Sequence, residues 1–309
     1  MDTSKFCSIL SKKSGEPIAG SAPYAKHFIF ISWPKKFWGY EALQASGGFP
    51  NGLKNWMHTN SQVHGKISIR LVSNKDTNND KSDIFIYPGQ YIYKDVCPKK
   101  IIKTLDTHFQ KNFKSSKNYK KFNNDQIFIC THGRHDKCCA KFGQKVAEIM
   151  RQHLEKEDLN IEVWESSHLG GHRFAPTLID FPNGYSYGRL SSDNIPIFFE
   201  YRKKNKIFAP AYRGTVFLSE FEQIAEAHLQ QYCYSKGLKC NLEIKKIKKI
   251  SEKKFMCIAK FYPDEFFENY QKYFTEESAF DFILKEFKNP SGCDSTNEDK
   301  IRECWELQN

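Results

Sequence analysis

One stretch, residues 126–190, constrains the fold more than any other. Gln126 to Cys130 reads as a short apolar strand. Asp136 can cap a helix running through about Glu155, on which Phe142, Val146, Ile149 and His153 recur at helical spacing. Ile161 to Glu165 is a second strand. Thr177 to Phe181 and Tyr185 to Leu190 then flank Pro182-Asn183-Gly184, a hairpin turn signal. A β-α-β-β order of this kind must bury the helix against the sheet, which predicts a layered α/β (α+β) domain.

An earlier stretch reads the same way. His27 to Ser32, Lys66 to Val72 and Asp83 to Tyr87 are strand-like, with a less regular helical pattern over Tyr40 to Met57. A helix over Pro98 to Phe113 follows, with Ile101, Ile102, Leu105, Phe109 and Phe113 on one stripe. Gly47-Gly48, Pro50-Asn51-Gly52 and the polar run Ser73 to Ser82 punctuate this β-α-β-β-α order. The two stretches repeat an architecture without repeating a sequence. Lys114 to Asp125, rich in Lys and Asn, reads as the linker between them.

From Arg213 the pattern changes. Ser219 and Glu222 form a capping-box signature ahead of an amphipathic helix carrying Leu218, Phe221, Ala225 and His228 or Leu229. Leu242 to Ile250 and Phe255 to Phe261 alternate around Ser251-Glu252-Lys253-Lys254, as a hairpin would. Pro290 to Asn309 reads as a polar tail. Three segments are therefore expected: a divergent N-terminal domain (1–120), a central domain (121–212), and a C-terminal helix and hairpin extension with its tail (213–309).

At 309 residues, 39% hydrophobic and 15% aromatic, the chain holds ample material for buried cores. No run approaches ~18 uncharged apolar residues, which excludes a membrane-spanning helix. The opening MDTSKFCSILSKKSGEP has too short an apolar run for a signal peptide and lacks the Arg of a transit sequence, so a cytoplasmic protein is expected. The net charge is +11, but 39 of the 47 basic residues are Lys and only 8 are Arg. Phosphate and base-edge forks favour Arg. Scattered Lys argues against nucleic acid and for a basic face that steers an acidic protein partner.

Ten cysteines at irregular spacing do not form a secreted disulfide framework. Cys7, Cys97, Cys233, Cys240, Cys257, Cys293 and Cys304 are isolated and read as inert thiols. The stretch ICTHGRHDKCCAKFG…WESSHLGGHRFAP is different: Cys130, His132, His135, Cys138, Cys139, His168 and His172 lie within about forty residues of one another. Thiolates and imidazoles at strand ends are ligands for zinc or an iron–sulfur cluster. Cys130 ends a strand, and Cys138 or Cys139 opens the following helix, so a short loop brings two thiols to one rim. Gly170-Gly171 disfavours a helix between His168 and His172 and permits φ > 0 and close backbone approach. From chemistry alone a redox cluster and a structural Cys2His2 zinc site stand equal.

CTHGRHDKCC followed by HLGGHRFAP resembles the sucrase/ferredoxin-like family, whose thioredoxin-like ferredoxin domain holds a [2Fe-2S] cluster with two Cys and two His. The family pattern is Cys, eight residues, Cys, a variable gap, then His-x-Gly-Gly-His. Eight residues separate Cys130 from Cys139, and 28 separate Cys139 from His168. The resemblance is strong over Gln126 to Leu190, and weaker in GSAPYAKHFIFISWPKKFWGYEAL and in YRG. It implies the ligands Cys130, Cys139, His168 and His172, leaving Cys138 as a core or redox-sensitive thiol and His132 and His135 outside the ligand set. It also implies an electron-transfer protein with a redox protein partner, rather than an enzyme.

Such a ligand set has electrostatic consequences. An oxidised [2Fe-2S] core of about +2 becomes about −2 overall with four thiolates, and near neutral with two thiolates and two imidazoles. Adding an electron to a near-neutral site costs less in a low-dielectric pocket, so a potential above all-Cys clusters is expected. Arg134 and Arg173 could offset the added charge, while Ser166, Ser167, Gly170 and Gly171 could orient His168 or hydrogen-bond sulfur. Trp164 reads as core. By analogy with thioredoxin-like folds a cis Ala175–Pro176 bond is expected. The turn after Cys130 lacks Cys-x-x-Cys, which argues against a thiol oxidoreductase. No carboxylate pair is singled out for glycoside hydrolysis.

Overall fold

The computed structural model describes residues 6–110, 120–121, 124–238, 240–263, 277–290, 293 and 299–308. In chain order the elements are α1 (Cys7–Lys13), β1 (His27–Ser32), α2 (Leu53–His64), β2 (Ile67–Ser73), β3 (Ser82–Tyr87), β4 (Tyr91–Val96), α3 (Ile101–Phe109) and β5 (Lys120–Lys121). Then follow β6 (Asp125–Cys130), α4 (Gln144–Glu157), β7 (Ile161–Ser166), β8 (Thr177–Phe181), β9 (Tyr185–Gly188), α5 (Ile195–Lys203), β10 (Tyr212–Thr215) and α6 (Glu220–Ser235). The chain closes with β11 (Cys240–Ser251), β12 (Lys254–Pro263), β13 (Ser278–Pro290) and β14 (Asp299–Gln308). The mixed α/β class is as expected.

Contacts group the residues into two compact units. The first comprises 25–170 and 176–184, the second 1–24, 171–175 and 185–309. These units follow contacts, whereas the boundaries at 120 and 212 divide the chain in sequence order.

The first unit contains two β-α-β-β halves of the same topology. In one, β1 pairs parallel with β2 from His27↔Ile67 to Ser32↔Val72, and antiparallel with β3. In the other, β6 pairs parallel with β7 from Asp125↔Ile161 to Cys130↔Ser166, and antiparallel with β8. The second strands of the halves meet antiparallel through Val72↔Ser166 and Ser73↔Glu165. The architectural repeat in the sequence is real.

Strand alternation gives each half two faces. Ile29 and Ile31, Ile67, Ile69 and Leu71, and Ile84 and Ile86 pack with Leu53 and Trp56 of α2 and Ile101 and Leu105 of α3. On β1 and β3 the alternates are aromatic, Phe28 and Phe30 on one and Phe85 and Tyr87 on the other. Phe30 stacks on Phe128 at 3.8 Å and 8°, Tyr87 on Phe181 at 3.8 Å and 19°, and Phe85 meets Trp164 edge-on at 5.2 Å. Because β1 and β3 are not neighbours of β6 and β8 in the ladder, these contacts require the sheet to fold its two halves face to face. Each such ring pair adds about 0.5–1.5 kcal/mol beyond area burial.

Several local expectations are corrected. The helix expected over Tyr40 to Met57 is instead α2, beginning after Gly52, with short 3-10 turns at Lys35–Phe37 and Ala42–Gln44. Gly47, Gly48 and Gly52 all adopt φ near +74 to +93, which breaks a continuous helix. Strand β4 was not legible, and Lys120–Lys121 of the expected linker pairs with it. The remainder of that linker, and the end of the helix expected to reach Phe113, fall largely outside the described residues. On α4 the buried stripe is Val146, Met150 and Leu154 rather than Ile149 and His153. Cis peptide bonds among the described residues are Tyr87–Pro88 and Phe181–Pro182, so the expected cis Ala175–Pro176 bond is not found.

In the second unit, β11 to β14 form an antiparallel meander. The capping box of Ser219 and Glu222 starts α6 as expected. Ile224, Ala225, Leu229 and Cys233 of that helix pack on Phe255, Cys257, Phe261 and Phe282. Residues 299–308, expected as a tail, are instead a strand, in register with β13 through Phe282↔Leu307 and Leu284↔Trp305. Trp305 lies against Phe255 and Phe221, so this edge closes the core. No helix among the described residues is long and apolar enough to cross a membrane.

Candidate metal centre

Cys130 is the last residue of β6, and its Cα partner on β7 is Ser166. Two residues beyond Ser166 lies His168, so the parallel register itself places the imidazole beside the thiol. The chain turns sharply after Cys130: the His132 carbonyl accepts from the amides of His135 and Asp136, and an Asp136 carboxylate oxygen accepts from the Cys138 amide at 2.7 Å. A π-helical turn over Cys139–Gly143 then leads into α4. Gly143 sits so close to the Cys130 carbonyl oxygen that a Cβ there would collide with it. This close approach brings Cys139 back onto Cys130.

The Sγ atoms of Cys130 and Cys139 each lie 4.0 Å from His168 Nδ1, and the three ligand atoms fall within 4.8 Å of one another. Both cysteines are buried. Burial pushes the Cys130 thiol up, but hydrogen bonds from Cys139 and His168 outweigh it and hold Cys130 well below the usual thiol range. Cys139, donating to Cys130 and itself buried, is held well above that range. Two buried thiols converging on one imidazole nitrogen suit a soft or borderline metal centre. Cys138, though buried, does not join this group, so the geometry singles out Cys139 where spacing alone left both open.

The loop is pinned from outside. His132 Nε2 meets the Gly39 carbonyl at 2.8 Å, and the His168 amide donates to His132 Nδ1 at 3.3 Å. A carbonyl partner at Nε2 and an amide partner at Nδ1 require the neutral Nε2–H tautomer. Burial lowers the His132 pKa, in keeping with that state. His132 thus holds the backbone of His168, and the His135 ring lies over the His168 ring at 3.7 Å. Arg134 donates to the Trp38 and Lys36 carbonyls rather than to a thiol. Thr131 donates to Glu165 at 2.8 Å, and Lys35 reaches the same carboxylate oxygen at 2.5 Å. Ser167 exchanges hydrogen bonds with the Leu71 backbone, accepting at Oγ and donating through its amide, and so fixes the strand end that carries His168.

Gly170 and Gly171 adopt φ of 90° and 74°, the left-handed conformation that their pairing foreshadowed. His172 begins a 3-10 turn in the second unit, and its Nδ1 lies 3.2 Å from Cys7 Sγ. Arg173 forms an ion pair with the buried carboxylate of Glu16, so its charge already has a counterion.

Sequence reading missed Arg70. It lies on β2 within Ile67-Ser68-Ile69-Arg70-Leu71-Val72, where a lone charge in an apolar strand was the available signal. Its Nε is buried without a hydrogen-bond partner, while one terminal nitrogen donates to the Ile69 carbonyl at 2.9 Å. Burial lowers its pKa, and the nearby Cys130 sulfur opposes that shift.

Over 98 residues the chain is 30% identical to Altered inheritance of mitochondria protein 32 from Debaryomyces hansenii. That match takes in 30% of this chain and 36% of the other, so the chain spans about a third of the length of this curated relative. Among solved structures, a thioredoxin-like [2Fe-2S] ferredoxin from Aquifex aeolicus is similar at a TM-score of 0.26 and 12% identity, covering 29% of this chain and 91% of that one. A second, wild-type structure of that ferredoxin gives 0.26 and 12%, with coverage of 29% and 97%. The model of the sucrase/ferredoxin-like family matches residues 18–214, a span that takes in both β-α-β-β halves, Cys130, Cys139, His168 and His172, and to that family the chain belongs.

Proposed function

We propose that this protein carries a [2Fe-2S] cluster ligated by Cys130, Cys139, His168 and His172, and serves as a one-electron carrier. The observation that supports this reading is the convergence of Cys130, Cys139 and His168, buried at the ends of paired strands. His172, four positions on from His168 across the glycine pair, is the fourth ligand. When bound, such a cluster supplies a one-electron redox couple whose potential rises with imidazole ligation. The chain's own residues orient the ligands: His132 and Ser167 hold the backbone around His168, and Gly143 lets Cys139 approach Cys130. The partner would be an acidic redox protein in the cytoplasm, matched to the basic charge of this chain.

A zinc ion is the second reading, and one measurement favours it. A single tetrahedral ion, with a Zn–S distance of about 2.3 Å and Zn–N of about 2.0 Å, separates sulfur from nitrogen by roughly 3.5 Å. Both sulfurs lie 4.0 Å from the same His168 nitrogen, near that spacing.

The deciding experiment is a visible spectrum of anaerobically purified protein before and after dithionite, with iron, sulfide and zinc analysis. The proposal expects a coloured sample that bleaches on reduction, with iron and acid-labile sulfide in equal amounts. A colourless protein holding zinc, and refusing iron on reconstitution, would overturn it in favour of a structural clamp.

A further inference from the structure

Cys7 and Cys293 are 286 positions apart, yet their sulfurs lie 3.6 Å from one another in the second unit. Cys7 opens α1, which packs on the turn that begins at His172 and on β13, the strand that ends at Pro290 just before Cys293. Neither sulfur is part of a disulfide. Cys7 Sγ is also 3.2 Å from His172 Nδ1, so Cys293, Cys7 and His172 form a chain of contacts.

We propose that Cys7 and Cys293 are a reversible dithiol–disulfide pair, oxidised by a small-molecule disulfide, that makes or breaks the thiol contact to the His172 imidazole. The order of reaction follows from exposure, since Cys293 is 8% exposed and Cys7 only 1%. Cys293 sulfur displaces one thiol from the small disulfide and forms a mixed disulfide with the other half. Cys7 sulfur then displaces that half. The products are the Cys7–Cys293 bond and two small thiols, which carry away both protons; two protein sulfurs are oxidised and one small disulfide is reduced. Oxidation turns the Cys7 thiol that faces His172 Nδ1 into a disulfide sulfur, a poorer hydrogen-bond partner for that nitrogen. The effect on a bound cluster rests on reading His172 as a ligand, because a partner on one imidazole nitrogen sets the basicity of the other. The dithiol itself does not depend on that reading.

The test uses the full chain, oxidised glutathione as the probe, and peptide mapping after alkylation. The expected result is a peptide joining Cys7 to Cys293, lost on treatment with dithiothreitol. Cys7→Ser should instead accumulate a glutathione adduct on Cys293, and Cys293→Ser should give neither the link nor an adduct at Cys7. Cys97, which is exposed, reports that the probe is active. Modification of Cys97 without any Cys7–Cys293 link would overturn the proposal. In cluster-loaded protein the link should bring a reversible change in the visible spectrum that Cys293→Ser lacks. A chain that forms the link but takes up no iron would sustain the pair and remove its coupling to a cluster. A normal cluster spectrum with no link would remove the pair alone.

Discussion

Arg70 is placed to act on the proposed cluster without being one of its proposed ligands. Its guanidinium is held on β2, with Nε buried and unpaired, and its charge acts on Cys130. A buried cation stabilises the reduced, more negative form of a nearby redox centre. Arg70→Met keeps much of the apolar stem and removes the charge. It should lower the reduction potential by on the order of tens of millivolts in protein film voltammetry. An unchanged potential would show that Arg70 serves packing alone. At this scale the sequence was informative about the thiols and imidazoles, because ligand chemistry depends on residue type and spacing. It read Cys7 and Cys293 as isolated, inert thiols, since nothing local marks two residues that meet only through α1 and the end of β13.

Helix α6 carries an internal pH sensor of stability. His228 is half-buried against Phe282 and the β14 backbone, its buried Nε2 has no hydrogen-bond partner, and burial drives its pKa from 6.5 to about 4. The folded state therefore holds this imidazole neutral, while the unfolded chain protonates it below 6.5. Its stabilising contribution is complete above pH 6.5 and is lost as pH falls toward 4, to a total of ~3 kcal/mol. Urea melts across that window should show the loss, and His228→Gln should flatten it. Parallel slopes for parent and variant would assign the acid sensitivity elsewhere, for instance to His108, whose pKa burial also lowers to about 4. The start of α6 was legible from Ser219 and Glu222, whose capping chemistry is local. The strand β14 was not, because only the register Leu284↔Trp305 reveals which side of its mixed polar sequence is apolar.

For the whole molecule, the charge of +11 makes the proposed acidic partner testable. Stopped-flow electron transfer from an acidic donor protein should slow steeply as ionic strength rises and the Debye length falls below about 10 Å. A rate flat from low to high salt would remove the basic docking face. The family match over residues 18–214 covers the two halves of the first unit, yet Cys130, Cys139 and His168 all come from one half. The first half contributes instead through Gly39, Trp38 and Leu71, which hold the loops that carry the candidate residues.

The sequence by itself determined what is local: the strand and helix periods, the Gly and Pro breaks, the caps, and the eight-residue spacing that puts two thiols on one turn. These depend on residues a few positions apart, whose preferences act before the chain closes. Tertiary structure alone decided that the two halves fold face to face over Phe30 and Phe128, that Arg70 lies within reach of the Cys130 thiol, and that residues 299–308 complete a sheet. Each of those outcomes is a contact between distant parts of the chain, and it gains free energy only when both partners are buried together.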